Sequence, residues 1–137
     1  MTRRILIDTG AIYAFVVHTD QHHAEALSFV KQYSDGGNVF VLADWVFAET
    51  MTLLKARVGA HVAVKVGGVL RRSPLYQWMT MGPDRERDTW AIFRQFADKD
   101  WSYTGCSLLV VSRHLGIREV FSFDGHFDQM PDVVRVF

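Results

Sequence analysis

The sequence has one cysteine, Cys106, among 137 residues, so no disulfide can form within the chain. It has no formal net charge at pH 7, so any contact with a polyanion must come from a local patch. No run of about 18 apolar residues is present, and the sequence predicts no membrane-spanning helix. The first apolar run is interrupted by Asp8, which is not typical of a signal peptide. These absences predict a cytoplasmic protein.

The remaining composition is that of an ordinary globular protein. Hydrophobic residues make up 49% of the chain and charged residues 22%, which argues against disorder. A chain of this length buries about two-thirds of its unfolded surface, so it needs no disulfide or structural metal to fold. We therefore expect a single domain over residues 1–137.

Short apolar segments alternate with longer helical patterns along the chain, and this order predicts an α/β fold. Such a chain forms a three-layer α/β/α structure, with a central, mainly parallel sheet of four to five strands. The predicted strands are the segments "RILID", "VFVL", "LYQWMT", "EVFSFD" and, at an edge, "VVRVF". In folds of this class the functional site lies beyond the carboxyl ends of the strands.

Two aspartates are predicted at that edge of the sheet. Asp8 follows the first buried strand, and Asp124 ends the segment "EVFSFD". Because parallel strands end at the same edge, we expect both side chains to emerge there. Asp8 also has a structural interpretation, since aspartate at a strand–helix junction often caps the helix.

Glu49 is the third candidate acid. It lies about one and a half turns into the helix that Asp44 is expected to open, so it is too deep to be a cap. Its alignment with Leu53 and Ala56 predicts that it faces inward, where a carboxylate needs a partner. The two alternatives are a buried ion pair with an arginine and a role as a metal ligand.

Three carboxylates at one edge would repel one another, and a divalent cation would remove that conflict. Mg²⁺ and Mn²⁺ prefer carboxylate oxygens, and they can activate water and shield the charge of a phosphodiester. Asp8, Glu49 and Asp124 therefore favour metal-dependent phosphodiester hydrolysis.

Gly105 lies in the first turn of a helix predicted from Ser102 to Leu115. An acid at this position would be favoured by the helix dipole and would point at the same edge of the sheet. Glycine inside a helix instead costs about 0.5–1 kcal/mol relative to alanine. Local propensity therefore disfavours the residue that is present.

Three segments carry a resemblance to a known family: "ILIDTGAIYAFV", "DWVFAETMTLL" and "ADKDWSYTGCSLLVVSRHLGIREVFSFDGHF". In this order they resemble the successive motifs of the PIN-domain family, especially the VapC-like toxins of bacterial toxin–antitoxin pairs. The resemblance extends over nearly the whole chain. It implies a small α/β/α domain that cleaves RNA with Mg²⁺ or Mn²⁺, frequently forms a homodimer and is neutralised by a cognate antitoxin.

The family's acidic residues match positions in this sequence individually. Its first aspartate matches Asp8, its helical glutamate matches Glu49 and its late aspartate matches Asp124, which implies that these three are the metal-binding, catalytic residues. Gly105 stands where the family has its remaining acid.

The departure at position 105 implies impaired cleavage and leaves several interpretations open. The chain is an attenuated natural relative, a variant selected against toxicity, or a protein in which Asp98 or Asp100 replaces the missing ligand. The alternative function is a catalytically inactive module that binds an antitoxin or RNA.

Other residues with reactive or bulky side chains have simpler interpretations. Cys106 is predicted to be a packing residue, and His126 is a candidate contact for a phosphate at the edge of the sheet. The four tryptophans are predicted to anchor the core: Trp45, Trp78, Trp90 and Trp101.

Overall fold

The computed structural model describes residues 2–137, in which five β-strands alternate with six α-helices. In chain order these elements are β1 (Arg4–Ile7), α1 (Thr9–Val16), α2 (His23–Tyr33), β2 (Val39–Ala43), α3 (Asp44–Arg57), α4 (Ala60–Arg72), β3 (Tyr76–Met79), α5 (Gly82–Gln95), α6 (Tyr103–Leu115), β4 (Glu119–Phe121) and β5 (Val134–Val136). Across this range, no helix has both the length and the apolar character needed to cross a membrane.

The strands form one sheet in the order β3-β2-β1-β4-β5, and every neighbouring pair is parallel. The predicted three-layer α/β/α fold with a parallel sheet is confirmed. From the central strand β1 the chain moves outward through β2 to β3, then returns to the other side of β1 to form β4 and β5. This reversal opens a crevice at the carboxyl ends of β1 and β4, where α/β proteins place their ligands.

The core lies around the three central strands and α6. These strands are almost continuously apolar because both faces of a parallel sheet are covered by helices. Helix α6 is unusual in that every residue from Gly105 to Ser112 is buried. The fully enclosed side chains of β1, β2 and β4 are Ile5, Leu6, Phe40, Leu42, Val120 and Phe121.

The ends of α6 are set by residues that the sequence pattern identifies. The Ser102 hydroxyl accepts a hydrogen bond from the Gly105 N–H at 2.9 Å, and Gly116 ends the helix with a φ of 67°. Helix α2 begins at His23 without a side-chain cap. The Asp20 carboxylate accepts a bond from the His22 N–H in a turn that precedes the helix, so it does not cap the helix itself.

The tryptophans differ in burial, and the prediction that all four anchor the core is wrong. Only Trp101 is fully buried, and its indole N–H donates to the side chain of Gln129. Trp78 and Trp90 are 41% and 54% exposed. Trp78 packs its ring under the guanidinium group of Arg71, with 4.9 Å between the guanidinium carbon and the ring centroid.

Candidate active site

Asp8 lies directly after β1, at the crevice between β1 and β4. Its Oδ1 accepts a hydrogen bond from the Thr9 N–H at 2.8 Å, and its Oδ2 accepts one from the Ser122 hydroxyl at 2.8 Å. Asp8 therefore caps α1 and is also held in one orientation from the opposite side. The capping role and a functional role are compatible, because the two contacts use different oxygens.

The Asp8 carboxylate is in an unfavourable electrostatic environment. Although part of the residue reaches the surface, burial of its carboxyl group raises its pKa to about 6. The bonds from Ser122 and Thr9 oppose this rise, whereas the charges of Asp124 and Glu49 add to it. Within residues 2–137 no Lys or Arg nitrogen lies within 4 Å of this carboxylate. A buried acid without a cation is destabilising, and such acids are concentrated at functional sites.

Asp124 is joined to Asp8 through Ser122. Strand β4 ends before Ser122, so Asp124 lies in the connection beyond the strand, and the expectation that it ends the strand is wrong. The Ser122 oxygen accepts a bond from the Asp124 N–H at 3.0 Å while its own proton goes to Asp8. This one hydroxyl fixes the backbone of one acid and the carboxylate of the other.

His126 lies beside Asp124 at the same edge. The Asp124 carboxylate accepts a bond from the His126 N–H at 2.9 Å, and the imidazole Nδ1 lies 3.2 Å from the same oxygen. The His126 side chain is 41% exposed. Its predicted role as a phosphate contact remains a prediction.

Glu49 is exposed, so the prediction that it faces inward is wrong. The buried residues of α3 are Val46, Thr50 and Leu54. Glu49 directly precedes Thr50 in the sequence and is not part of this buried row. Glu49 shares its outer, apolar surface with Leu53 and Ala56. Leu53 is only partly buried and Ala56 is exposed, so this row does not face the core.

The Glu49 carboxylate is held by a hydroxyl and not by a cation. Thr104 donates its Oγ1 proton to Glu49 Oε2 at 2.9 Å. In the described part of the chain no Lys or Arg lies within salt-bridge distance of Glu49. The alternative of a buried ion pair with an arginine is therefore wrong.

Gly105 is buried in the first turn of α6, next to the Thr104–Glu49 contact. A Cβ atom at this position would lie 3.1 Å from the Ser102 hydroxyl and 3.7 Å from the Met130 methyl carbon. An added Cβ would therefore make one tight contact, with the Ser102 hydroxyl, and one ordinary contact, with Met130. Asp98 and Asp100 are exposed in the loop before α6, and Asp98 lies 3.6 Å from the Lys99 amine.

The donors at this edge fit a hard divalent cation in chemical type but do not form a complete cage. Among residues 2–137, no three His, Cys, Asp or Glu side chains come close enough together to hold a metal ion. Mg²⁺ is commonly held by one or two carboxylates and retains several waters, so a complete cage is not required. A cation would also offset the repulsion that Asp124 and Glu49 exert on Asp8.

Ser122 is a residue of this site that sequence reasoning missed. It is fully buried, directly follows β4 and stands two positions before Asp124. A buried hydroxyl at the end of a central strand, next to a candidate acid, is the signal that could have identified it. Its bond to Asp8 spans 114 positions in the sequence, which no local pattern reveals.

We expect Ser122→Ala to lower the free energy of unfolding by about 1–3 kcal/mol, because it leaves the Asp124 N–H without its acceptor. It should also raise the pKa of Asp8 further, since the lost bond lowers that pKa. Urea denaturation and a carboxyl NMR titration measure the two effects. Ser107→Ala is the matched control, because it removes an equally buried hydroxyl that bonds only to a backbone carbonyl. An unchanged Asp8 titration in Ser122→Ala would contradict this prediction.

Comparison with known proteins gives structural likenesses only. No family profile and no curated protein matches the chain. The structure is similar to VapC20 of Mycobacterium tuberculosis, described as a sarcin–ricin loop cleaving toxin, with 26% identity, a TM-score of 0.81 and coverage of 91% of this chain and 93% of that one. It is also similar to VapBC2 of Rickettsia felis bound to a promoter DNA fragment, with 7% identity, a TM-score of 0.69 and 97% coverage of both chains. FitAcB of Neisseria gonorrhoeae gives 13% identity, a TM-score of 0.71 and coverage of 97% and 96%.

These likenesses confirm the predicted resemblance to the PIN-domain family and its VapC-like toxins. The two more distant structures share the fold. VapC20 adds detectable sequence identity over nearly the full length of both chains.

Proposed function

We propose that this chain is a divalent-metal-dependent endoribonuclease of the PIN type, the toxin of a toxin–antitoxin pair, with activity impaired by Gly105. The observation that carries the proposal is Asp8, a buried carboxylate that Ser122 holds at the carboxyl end of β1 and that has no Lys or Arg partner within residues 2–137. The likeness to VapC20, a sarcin–ricin loop cleaving toxin, supports RNA as the substrate.

In this proposal Asp8, Asp124 and Glu49 would hold Mg²⁺ or Mn²⁺. Such an ion, when bound, activates water and shields the negative charge of a phosphodiester. Ser122 orients the Asp8 carboxylate and fixes the backbone of Asp124. The raised pKa of Asp8 means that protons compete with a cation for this carboxylate near pH 6.

RNA cleavage by the unchanged chain with Mn²⁺, with EDTA and after Asp8→Asn tests the proposal. Weak cleavage that EDTA and Asp8→Asn both abolish is the expected result. Cleavage that persists in Asp8→Asn would point to a contaminating nuclease or a different site.

The second candidate is a PIN-fold module that binds an antitoxin or RNA without chemistry. It is favoured by Gly105 and by the lack of three clustered metal-binding side chains within residues 2–137. Calorimetric titration with Mn²⁺ separates the candidates. Binding that is weakened in Glu49→Gln supports the nuclease, whereas no binding to either protein supports the inactive module.

An antitoxin protein is the proposed partner, supported by the likeness to VapBC2 and FitAcB. An apolar groove of about 170 Å³ between α1, α4 and β3 has the character of a site for an apolar peptide. Val69, on its wall, is 50% exposed. The other apolar side chains of the groove are Phe15, Val16, Val66, Leu70 and Tyr76.

We also propose that the chain forms a homodimer, and an aromatic patch on α5 and α6 supports this. Trp90 and Phe93 are 54% and 38% exposed, and their ring centroids lie 6.3 Å apart. Phe93 in turn packs edge-on against Tyr103 at 5.2 Å. Aromatic residues are enriched at protein interfaces relative to the rest of the protein surface.

Trp90→Glu is expected to convert the homodimer into a monomer, because it places a charge in the centre of the aromatic patch. Size-exclusion chromatography with light scattering measures the change. Trp78→Glu is the control, since it alters another exposed tryptophan on the distant edge strand β3. A dimer that survives Trp90→Glu, or an unchanged chain that is monomeric, would contradict the proposal.

A further inference from the structure

Thr104 makes the one side-chain contact that fixes the orientation of Glu49. Its Oγ1 proton goes to Glu49 Oε2 at 2.9 Å and links α6 to α3 across 55 positions of sequence. Within residues 2–137 Glu49 has no other side-chain hydrogen bond and no salt-bridge partner. An exposed glutamate has several rotatable bonds, so without this contact its carboxylate would sample many positions.

The donor itself is held in place by two independent features. Thr104 is β-branched and lies in the first turn of α6, so its χ1 angle has few alternatives. The preceding residue, Tyr103, stacks on Trp45 with ring centroids 5.6 Å apart and an angle of 21° between the rings. Because Trp45 is four residues before Glu49 on α3, this stack fixes the α6 turn against the helix that carries the acid.

A hydroxyl suits this position for an electrostatic reason. A lysine or arginine would neutralise Glu49 and compete with a cation, whereas a second acid would add to the repulsion already acting on Asp8. The neutral Thr104 donor stabilises the Glu49 charge, and one oxygen of the carboxylate remains unused by side chains.

We propose that Thr104 is a positioning residue, which sets the Glu49 carboxylate for binding of a divalent cation at the edge formed with Asp8 and Asp124. This inference rests on the proposed function. Thr104, which directly precedes Gly105, would thus hold one of the remaining carboxylates of the site in place. Because position 105 carries no acid, fewer carboxylates are left to bind a cation. The orientation of Glu49 therefore matters more for cation binding.

The test is Mn²⁺ affinity measured by calorimetry, in the unchanged chain and in a Gly105→Asp background. Thr104→Val keeps the shape of the side chain and removes the hydroxyl, and it should weaken Mn²⁺ binding about tenfold, as is typical for supporting residues of metal sites. Thr104→Ser restores the donor and should stay within about twofold of threonine. Thr52→Val is the control, since this exposed α3 threonine bonds only to the Ala48 carbonyl.

A double-mutant cycle with Glu49→Gln makes the test specific. If Thr104 acts through Glu49, Thr104→Val should have no further effect on Mn²⁺ affinity once Glu49 is replaced. Equal affinities for Thr104→Val and the parent, or an undiminished effect in the Glu49→Gln background, would overturn the inference while the nuclease proposal stands. Failure of the Gly105→Asp protein with intact Thr104 to bind Mn²⁺ would overturn the proposed function and this inference together.

Discussion

Gly105→Asp is expected to raise the rate of Mn²⁺-dependent RNA cleavage by at least about a hundredfold. Replacing residues that only support metal ligands typically changes activity by about 10–100-fold, so gain of a direct ligand should reach or exceed the upper end of that range. Hydrolysis of a fluorogenic RNA under single-turnover conditions measures the rate.

The structure around position 105 accepts an added Cβ atom with a small shift of one neighbour. The added Cβ would lie 3.1 Å from the Ser102 hydroxyl, which must move by a few tenths of an ångström, and at ordinary contact distance from Met130. The carboxylate would lie in the first turn of α6, where the helix dipole favours a negative charge by about 0.3–1 kcal/mol. Its neighbour Thr104 already reaches Glu49, so the first turn of α6 is directed towards the acidic edge.

Three variants control for other consequences of adding an acid. Gly105→Asn has nearly the same size without the charge, and it should remain as slow as the unchanged chain. Ala60→Asp adds an acid to the first turn of α4, at an exposed position on a helix that carries none of the candidate acids, and it should not activate cleavage. Asp8→Asn should abolish the gain of Gly105→Asp. If Gly105→Asp cleaves no faster than Gly105→Asn, position 105 is not a missing ligand.

The order of elements could be predicted from sequence because each signal is local. The strand Arg4–Ile7 is a short apolar run, and α6 has a serine at its start and a glycine at its end. Residues that follow strands of a parallel sheet meet at one edge whatever the details of packing, so Asp8 and Asp124 could be assigned to the same site. The burial of Gly105 does not distinguish one face of α6 from another, because every residue from Gly105 to Ser112 is buried.

The contacts that organise the site could not be predicted in this way. The bonds of Ser122 to Asp8 and of Thr104 to Glu49 join residues 114 and 55 positions apart. Periodicity also assigned Glu49 to the wrong face, because an apolar row on a helix indicates the core only when another element covers it. In α3 Leu53 is only partly buried and Ala56 is exposed, whereas the buried residues Val46, Thr50 and Leu54 form the adjacent row.

Asp8→Asn is expected to make the metal-free protein more stable at neutral pH by up to about 3 kcal/mol. Burial raises the pKa of Asp8 from 3.8 to about 6, so the folded state binds more protons than the unfolded state between these values. The free energy of unfolding therefore falls as the pH rises from about 4 to 6, and the loss is complete above pH 7. A difference of this size between folded and unfolded pKa corresponds to about 3 kcal/mol.

Asparagine removes this cost while keeping most of the local structure. It caps helices as well as aspartate does, so the bond from the Thr9 N–H is retained. Its amide can donate to the Ser122 oxygen in place of the present bond. Urea denaturation from pH 4 to 8 should show a flatter profile for Asp8→Asn. Asp44→Asn is the control, because Asp44 follows the adjacent strand and also accepts backbone bonds, from Trp45 and Met81.

A divalent cation should make the protein with Asp8 more stable than its Asp8→Asn derivative, which is the reverse of the order expected without metal. This reversal distinguishes an acid that binds a cation from one that only destabilises the fold. An ion that binds only the folded state adds stability that grows with the ratio of its concentration to Kd, about 2.7 kcal/mol at a hundredfold excess. Millimolar Mn²⁺ should therefore raise the melting temperature of the Gly105→Asp protein and leave its Asp8→Asn derivative unchanged. If Mn²⁺ stabilises both proteins equally, it binds elsewhere. If Asp8→Asn lowers stability without metal, the Asp8 carboxylate is a structural cap, and the unfavourable charge at this edge has no part in holding a cation.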